Sequence, residues 1–317
     1  MFTDIDFSSI QVLVIGDVML DRYWLGSVER VSPEAPVPVV SVKKTDLRVG
    51  GAGNVAANVR SLGAQCSLIS VIGDDESGKT INDILERSGV SRYLHVDTGS
   101  RTTEKLRIIA KNQQLLRADF EDIPRRDVVD RCVADYEELL KDADVIVISD
   151  YGKGSVQSTE LMIRLAKKMG KPVVVDPKGI EFSRYRGATV ITPNELELQA
   201  VVGRWSSHAQ FERKAKNLLR KTQIDGLLVT RGESGITFFS EGSEPIQENA
   251  RSIEVYDVSG AGDTVVATVA IGIAAGFNWK KILKFSNIAA EVVVKKLGTS
   301  VTTLKEIQDV AREGISE

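Results

Sequence analysis

The sequence predicts an α/β fold: a three-layer α/β/α arrangement in which a doubly wound sheet carries a small β lid. Two periodicities predict the layers. Short β-branched runs without polar alternation recur at 12–15, 68–72, 145–148, 173–175, 189–191 and 227–229, as in strands buried on both faces of a parallel sheet. Stretches of helical period lie between them at 79–87, 127–141, 159–169 and 209–221, and strand–helix alternation builds such a sheet. The lid is predicted by two segments that break the rhythm. Pro33, Pro36 and Pro38 lead into an apolar run at 37–42, and 101–120 reads as a hairpin turning near Asn112-Gln113.

Taken in order, the buried runs end in Gly16-Asp17, Gly73-Asp74, Ser149-Asp150, Asp176, Thr192-Pro193-Asn194 and Thr230-Arg231-Gly232. Polar residues at any one strand end serve as turns and helix caps. Six on one edge point to a binding edge, because open α/β sheets bind ligands beyond the carboxyl ends of their strands.

The chain has 317 residues, enough for about two domains at roughly 150 residues each. No linker, repeat or low-complexity stretch divides it, so the expectation is one domain over 1–317 with lid segments at about 18–47 and 92–120. A hydrophobic content of 42% excludes a disordered chain. The net charge of −3 lacks the basic excess that a nucleic-acid partner calls for. Cys66 and Cys132 lie in unrelated segments, and the first nine residues lack the basic start and apolar run of a signal peptide. The apolar stretch 265–277 falls short of the roughly 20 residues that span a bilayer. A cytoplasmic protein without a membrane partner is expected.

Three glycine clusters compete for a phosphate. Gly73 to Thr80 matches G-x-x-x-x-G-K-[ST], but Asp74, Asp75 and Glu76 would set three negative charges beside a polyphosphate. A helix-starting turn is the better account. Gly51-Ala52-Gly53-Asn54-Val55-Ala56 fits a relaxed dinucleotide fingerprint, yet no buried run precedes it. It reads as a glycine hinge into a helix, with Asn54 free to bond hydroxyls. The third cluster, Asp257-Val258-Ser259-Gly260-Ala261-Gly262-Asp263, precedes an apolar helix. Free N–H groups and the helix dipole meet at Gly260–Gly262, an anion hole for a phosphoryl group. Asp263 beside it could take a hydroxyl proton or be an ordinary first-turn acid.

The 257–263 cluster resembles the C-terminal signature of the ribokinase-like (PfkB) sugar kinases. Gly50-Gly51-Ala52-Gly53-Asn54 resembles their N-terminal signature, and Thr192-Pro193-Asn194-Glu195-Leu196-Glu197 their N-x-x-E magnesium motif. Gly16 to Trp24, Ser32 to Val40, Lys105-Leu106-Arg107 through Gln114, Asp176-Pro177-Lys178-Gly179 and Lys296 to Ser300 are similar to the heptose-phosphate branch of that family. The resemblance implies ATP-dependent phosphorylation of a heptose 7-phosphate at its anomeric hydroxyl, for lipopolysaccharide inner-core synthesis. Kinases of this branch are often fused to an adenylyltransferase. This chain ends soon after the last helix, so a stand-alone kinase or a kinase domain without nucleotidyl transfer is expected.

By the same resemblance, Asp263 is the base and Gly260, Ala261 and Gly262 hold the γ-phosphate. Asn194 and Glu197 position Mg²⁺ through waters, and a monovalent cation is an optional addition. ATP lies near Asn194, Glu195, Leu196, Glu197, Thr230, Gly232 and Gly235, with Asn287 by the adenine. Asp17, Gly51 and Asn54 hold sugar hydroxyls. The distal phosphate needs cations, and these the residues offer on their own account. If 101–111 is a strand, Arg101, Thr103, Lys105, Arg107, Ile109 and Lys111 share a face and four of them are basic. Lys105 and Arg107 are the expected clamp, with Lys178 next. His95 and His208 are isolated, which argues against a histidine metal site. The unpaired lid edges predict a homodimer formed through the lid. The competing readings are a ribokinase-like kinase for another sugar or a nucleoside, and a non-catalytic nucleotide-binding module using Gly73–Thr80.

Overall fold

The computed structural model describes residues 2, 5–111, 113–251 and 254–313. The first buried run is β1 (Gln11–Gly16), followed by β2 (Val18–Val31), β3 (Pro38–Gly51), α1 (Ala52–Ser61), β4 (Gln65–Gly73), α2 (Glu76–Arg87) and β5 (Ser91–Asp97). Next come β6 (Glu104–Ala110), β7 (Gln113–Phe120), α3 (Arg126–Leu139), β8 (Val145–Ser149), α4 (Thr159–Lys168), β9 (Val173–Asp176) and β10 (Val190–Ile191). The chain continues through α5 (Glu195–Val202), α6 (His208–Thr222), β11 (Gly226–Thr230), β12 (Ile236–Ser240), β13 (Ile246–Glu248), α7 (Ala261–Ala274), α8 (Trp279–Val294) and α9 (Leu304–Glu313).

Among the described residues nine strands form the main sheet, ordered β13-β12-β11-β10-β9-β8-β1-β4-β5. All six runs read as buried strands lie in it, and those pairs are parallel. Strands β12 and β13 add antiparallel at one end. The chain builds outward from β1 through β4 to β5, then returns to the other side of β1 at β8. Ligand crevices open at such a reversal. Register places Gly16, Ser149 and Asp176 in one row across β1, β8 and β9. The residues just past these ends therefore share one edge.

The strands are apolar on both faces because helices cover both. Helices α1, α2, α7, α8 and α9 pack on one side and α3, α4 and α6 on the other. Helix α7 is apolar nearly all round, as suits a helix wedged between the sheet, α1 and α8. No helix among the described residues is long and apolar enough to cross a membrane.

The lid is a separate four-stranded sheet ordered β3-β2-β6-β7. Two hairpins join side by side, β2 pairing parallel with β6. Its extent differs from expectation at two ends. The first hairpin runs on to Gly51, directly into α1. Residues 92–97 belong to β5 of the main sheet, so the second lid segment starts at Glu104. Arg101 precedes β6 and pairs with Asp122 at 3.1 Å, while Lys111 leaves β6 in a left-handed turn at φ 51°. The expected four-cation face contracts to Lys105 and Arg107. Asn112 lies outside the described residues.

The 73–80 stretch is the start of α2, filled from within. Asp75 caps the helix, accepting the Gly78 amide at 2.8 Å, and also accepts the Thr102 amide at 2.8 Å and hydroxyl at 2.7 Å. Gly73 donates its amide to the Thr102 hydroxyl at 2.8 Å. A carboxylate occupies the place a phosphate loop reserves for phosphate. Lys79 is exposed on α2. Lys79→Ala should leave KM for ATP unchanged, whereas Asp75→Ala should cost about 1–2 kcal/mol of stability in denaturant melts through the lost cap.

Candidate active site

Helix α7 begins after Gly260, which adopts the left-handed conformation at φ 79°. A Cβ there would come within 2.6 Å of Asn54 Nδ2, so glycine is required both for the turn and for the close approach of α1. The Gly262 and Asp263 amides, in the first turn, find no acceptor among the described residues. These two amides are free to receive an anion, whereas the Ala261 amide, expected in the same hole as those of Gly260 and Gly262, donates to the Val258 carbonyl at 3.2 Å. Asp257 ties this turn to the segment before α9, accepting the Ser259 amide at 2.9 Å and the Gly298 amide at 2.8 Å.

Asp263, the third residue of α7, is 2% exposed. Asn54 Nδ2 donates to its Oδ2 at 2.8 Å, and the Tyr151 hydroxyl donates to its Oδ1 at 2.8 Å. Burial pushes its carboxyl up to about 6, while the two hydrogen bonds hold it down. A carboxylate poised there is ionised at neutral pH and still basic enough to take a hydroxyl proton. Asn54 thus touches the base itself as well as the space expected for sugar hydroxyls.

On the acceptor side, Gly51 is the residue before α1, with φ 57°, and a Cβ there would meet the Asp17 carbonyl at 2.4 Å. Asp17 departs from its expected role. Its buried carboxylate accepts the amides of Tyr151, Lys153 and Ser155 at 2.9, 3.0 and 2.8 Å. It organises the loop after β8 rather than presenting free oxygens to a sugar. From the lid, Arg107 is ion-paired with Asp21 and lies over the Tyr23 ring. Lys105 lies 5.7 Å from the Tyr151 ring centroid and, among the described residues, has no carboxylate within 4.0 Å. Burial pulls its ammonium below the ordinary lysine range, with Asp21 opposing. Among the described residues it has no ion-pair partner, and Asp21 and Asp119 act on it only from beyond that range.

The nucleotide side lies across the sheet. Asn194 bridges to Thr230 and caps α5, accepting the Glu197 amide at 2.9 Å while Glu197 Oε2 accepts the Asn194 amide at 3.1 Å. Glu197 Oε1 accepts from Lys178 Nζ at 3.1 Å. Lys178 is therefore already paired on this side. Glu195 is 3.8 Å from Arg231, and the Leu196 side chain is exposed. Gly232 turns at φ 53° in open space, whereas Gly235 closes against the Glu248 carbonyl. Asn287 donates to the Asn249 carbonyl at 2.8 Å, next to that closure. Gly235 and Asn287 thus shape one loop at the far end of the crevice.

No three His, Cys, Asp or Glu side chains come together as metal ligands among the described residues. The donor set fits Mg²⁺ nonetheless, since that ion keeps several waters and uses few carboxylates plus phosphates. Glu197 and Asn194 face this side, and Asp176 is pushed well above the carboxylate range by burial and by Asp263 and Glu197. Such crowding of negative charge is what a divalent cation relieves. Sequence reasoning gave no role to Asp21, Tyr151 or Asp176. The position of Asp176 after a buried run was a signal for it. Tyr151, in the turn-like run Tyr151-Gly152-Lys153-Gly154, offered none, since its partner Asp263 is 112 residues away.

Residues 9–306 match the pfkB family of carbohydrate kinases. The chain is 47% identical over 297 residues to a D-beta-D-heptose 7-phosphate kinase from Bordetella bronchiseptica, covering 94% of this chain and 95% of that one. It is 45% identical over 308 residues to the bifunctional protein HldE of Alkalilimnicola ehrlichii, covering 97% of this chain but 64% of that protein. The fold is similar to Arabidopsis thaliana ribokinase complexed with ribose and ATP, with TM-score 0.76, 21% identity and coverage of 95% and 98%. It also resembles Escherichia coli phosphofructokinase-2 in complex with substrates and products, with TM-score 0.80, 19% identity and coverage of 96% and 98%. The chain belongs to the pfkB family and is an ATP-using carbohydrate kinase.

Asp263→Asn should keep the shape and remove the base, lowering kcat roughly 10²–10⁴-fold in a coupled ADP-release assay. For the wild type, kcat/KM should rise with pH through about 6, as Asp263 ionises.

Proposed function

We propose that this enzyme transfers the γ-phosphoryl group of ATP to the anomeric hydroxyl of D-glycero-β-D-manno-heptose 7-phosphate, giving the 1,7-bisphosphate and ADP. The observation that carries this reading is Lys105, a half-buried lid cation that has no ion-pair partner among the described residues and whose charge reaches Asp263. An anionic group on the acceptor would satisfy it, whereas a neutral sugar would leave it desolvated and unpaired. The names of the relatives point the same way.

The acceptor lies between the lid and α1, with its C1 hydroxyl on Asp263 and its distal phosphate on Lys105. Asp263 takes the hydroxyl proton as the oxygen attacks the γ-phosphorus and the bond to the ADP oxygen breaks. The amides at the start of α7 stabilise the equatorial oxygens of the transferring group. Asn194 and Glu197 would hold Mg²⁺, which would neutralise phosphate charge. ATP lies along the strand ends past β10 and β11, near Thr230 and Gly232. Asp17 and Gly51 shape the acceptor wall through backbone geometry. With ATP as donor, the reaction belongs in the cytoplasm, supplying activated heptose for lipopolysaccharide.

Lys105→Ala should raise KM for the heptose phosphate roughly 10- to 100-fold with KM for ATP unchanged, since a charge-assisted hydrogen bond contributes about 1.5–3 kcal/mol. Arg107→Ala should act less strongly, because its charge is already balanced by Asp21. An unchanged heptose-phosphate KM in both would remove the clamp.

The lid's outer residues Val31, Val42 and Leu116 are exposed, and β3 and β7 are free edges. A second lid covering both would give a homodimer. Sedimentation at working concentration should return twice the chain mass; a monomer would contradict this.

A further inference from the structure

Tyr151 links the expected base to the lid. Its hydroxyl donates to Asp263 Oδ1 at 2.8 Å, and Lys105 Nζ lies 5.7 Å from its ring centroid. Its backbone is fixed as firmly as its side chain. The Tyr151 amide donates to Asp17 Oδ2, and the same carboxylate holds Lys153 and Ser155. The ring lies against Gly51, where a Cβ would come to 3.4 Å from Cδ2. Asp17 thus has an indirect task at the site: it presents the loop that presents Tyr151.

Asp263 has two oxygens, and each receives one donor from a different part of the chain: Asn54 from α1 and Tyr151 from the loop after β8. Two donors on opposite oxygens stop rotation of a carboxylate about its terminal bond, a torsion that is otherwise soft. Burial pushes the Tyr151 phenol well above its usual range, and Asp263 pushes it further. The phenol is therefore neutral and can only stabilise the ionised base by donating to it.

The geometry assigns Tyr151 as a positioning residue for the base: its hydroxyl fixes the Asp263 carboxylate in the orientation that receives the acceptor proton, and its ring carries that orientation to the lid lysine. The inference rests on Asp263 being the base. The charged groups facing Asp263 are Asp21 from β2, Lys105 from β6 and Asp176 from β9. None of them is altered by removing the phenol oxygen.

The test is Tyr151→Phe, checked for an unchanged melting temperature and assayed beside Asp263→Asn. We expect kcat about 10- to 100-fold below wild type with KM for ATP unchanged, the size of one lost hydrogen bond to a charge. The acid limb of kcat/KM should move up by about one pH unit, because a carboxylate that loses a donor binds its proton more tightly. A Tyr151→Phe enzyme with wild-type kcat and an unmoved acid limb, beside an inactive Asp263→Asn, would overturn the role of Tyr151 and leave the base intact. A faster Tyr151→Phe enzyme would overturn it too, making the phenol an occupant that the acceptor displaces. Wild-type turnover in Asp263→Asn would remove the base and the positioning role together.

Discussion

The site depends on one buried carboxylate held at the start of a buried helix. Asp263 can be placed there only because α7 is apolar enough to run between the sheet and its neighbouring helices, and because Gly260 turns the chain into it with no side chain to strike Asn54. Burial raises the affinity of that carboxylate for a proton, and the two neutral donors keep it ionised near neutrality. Among the described residues the Gly262 and Asp263 amides at the helix start have no acceptor, so on the proposed mechanism a base and an anion hole arise from a single turn. That mechanism asks the rest of the crevice to bring a hydroxyl and a phosphoryl group to this point.

The β1–β8 reversal explains how distant residues arrive. Strands that grow outward from a central strand in both directions leave their carboxyl ends on one edge, and the loops there face each other across the gap. Asp17 follows β1, Asp150 and Tyr151 follow β8, and Asp176 ends β9. The Asp17 carboxylate then ties the first two of these loops together. The lid completes the enclosure because β3 runs without interruption into α1, so the strand that covers the acceptor and the helix that carries Asn54 are one continuous piece.

Much of this was legible in the sequence. The buried strands of the parallel sheet announced themselves as unbroken β-branched runs, and the helix-starting Asp263 as a polar residue at the head of an apolar stretch. The glycines of the 257–263 turn pointed to a phosphate because amides at a helix start need no side chain. Less legible was anything that depended on which partner a charge chooses. Arg107 and Lys105 look equivalent as alternate residues of one strand, yet only Arg107 meets Asp21. Lys178 looks like a spare cation and is bound to Glu197. Asp17 looks like a sugar ligand and is committed to three amides. Strands β12 and β13 were missed because short antiparallel edge strands lack the long apolar runs of the centre. Tyr151 was missed because its function exists only through a contact across the fold.

The most direct test of the account is a crystal structure with a non-hydrolysable ATP analogue and heptose 7-phosphate bound together. The account predicts the anomeric oxygen within hydrogen-bond reach of Asp263, the γ-phosphate on the amides that open α7, and the 7-phosphate on Lys105. A 7-phosphate bound at Lys178, or a nucleotide seated on 73–80, would contradict it.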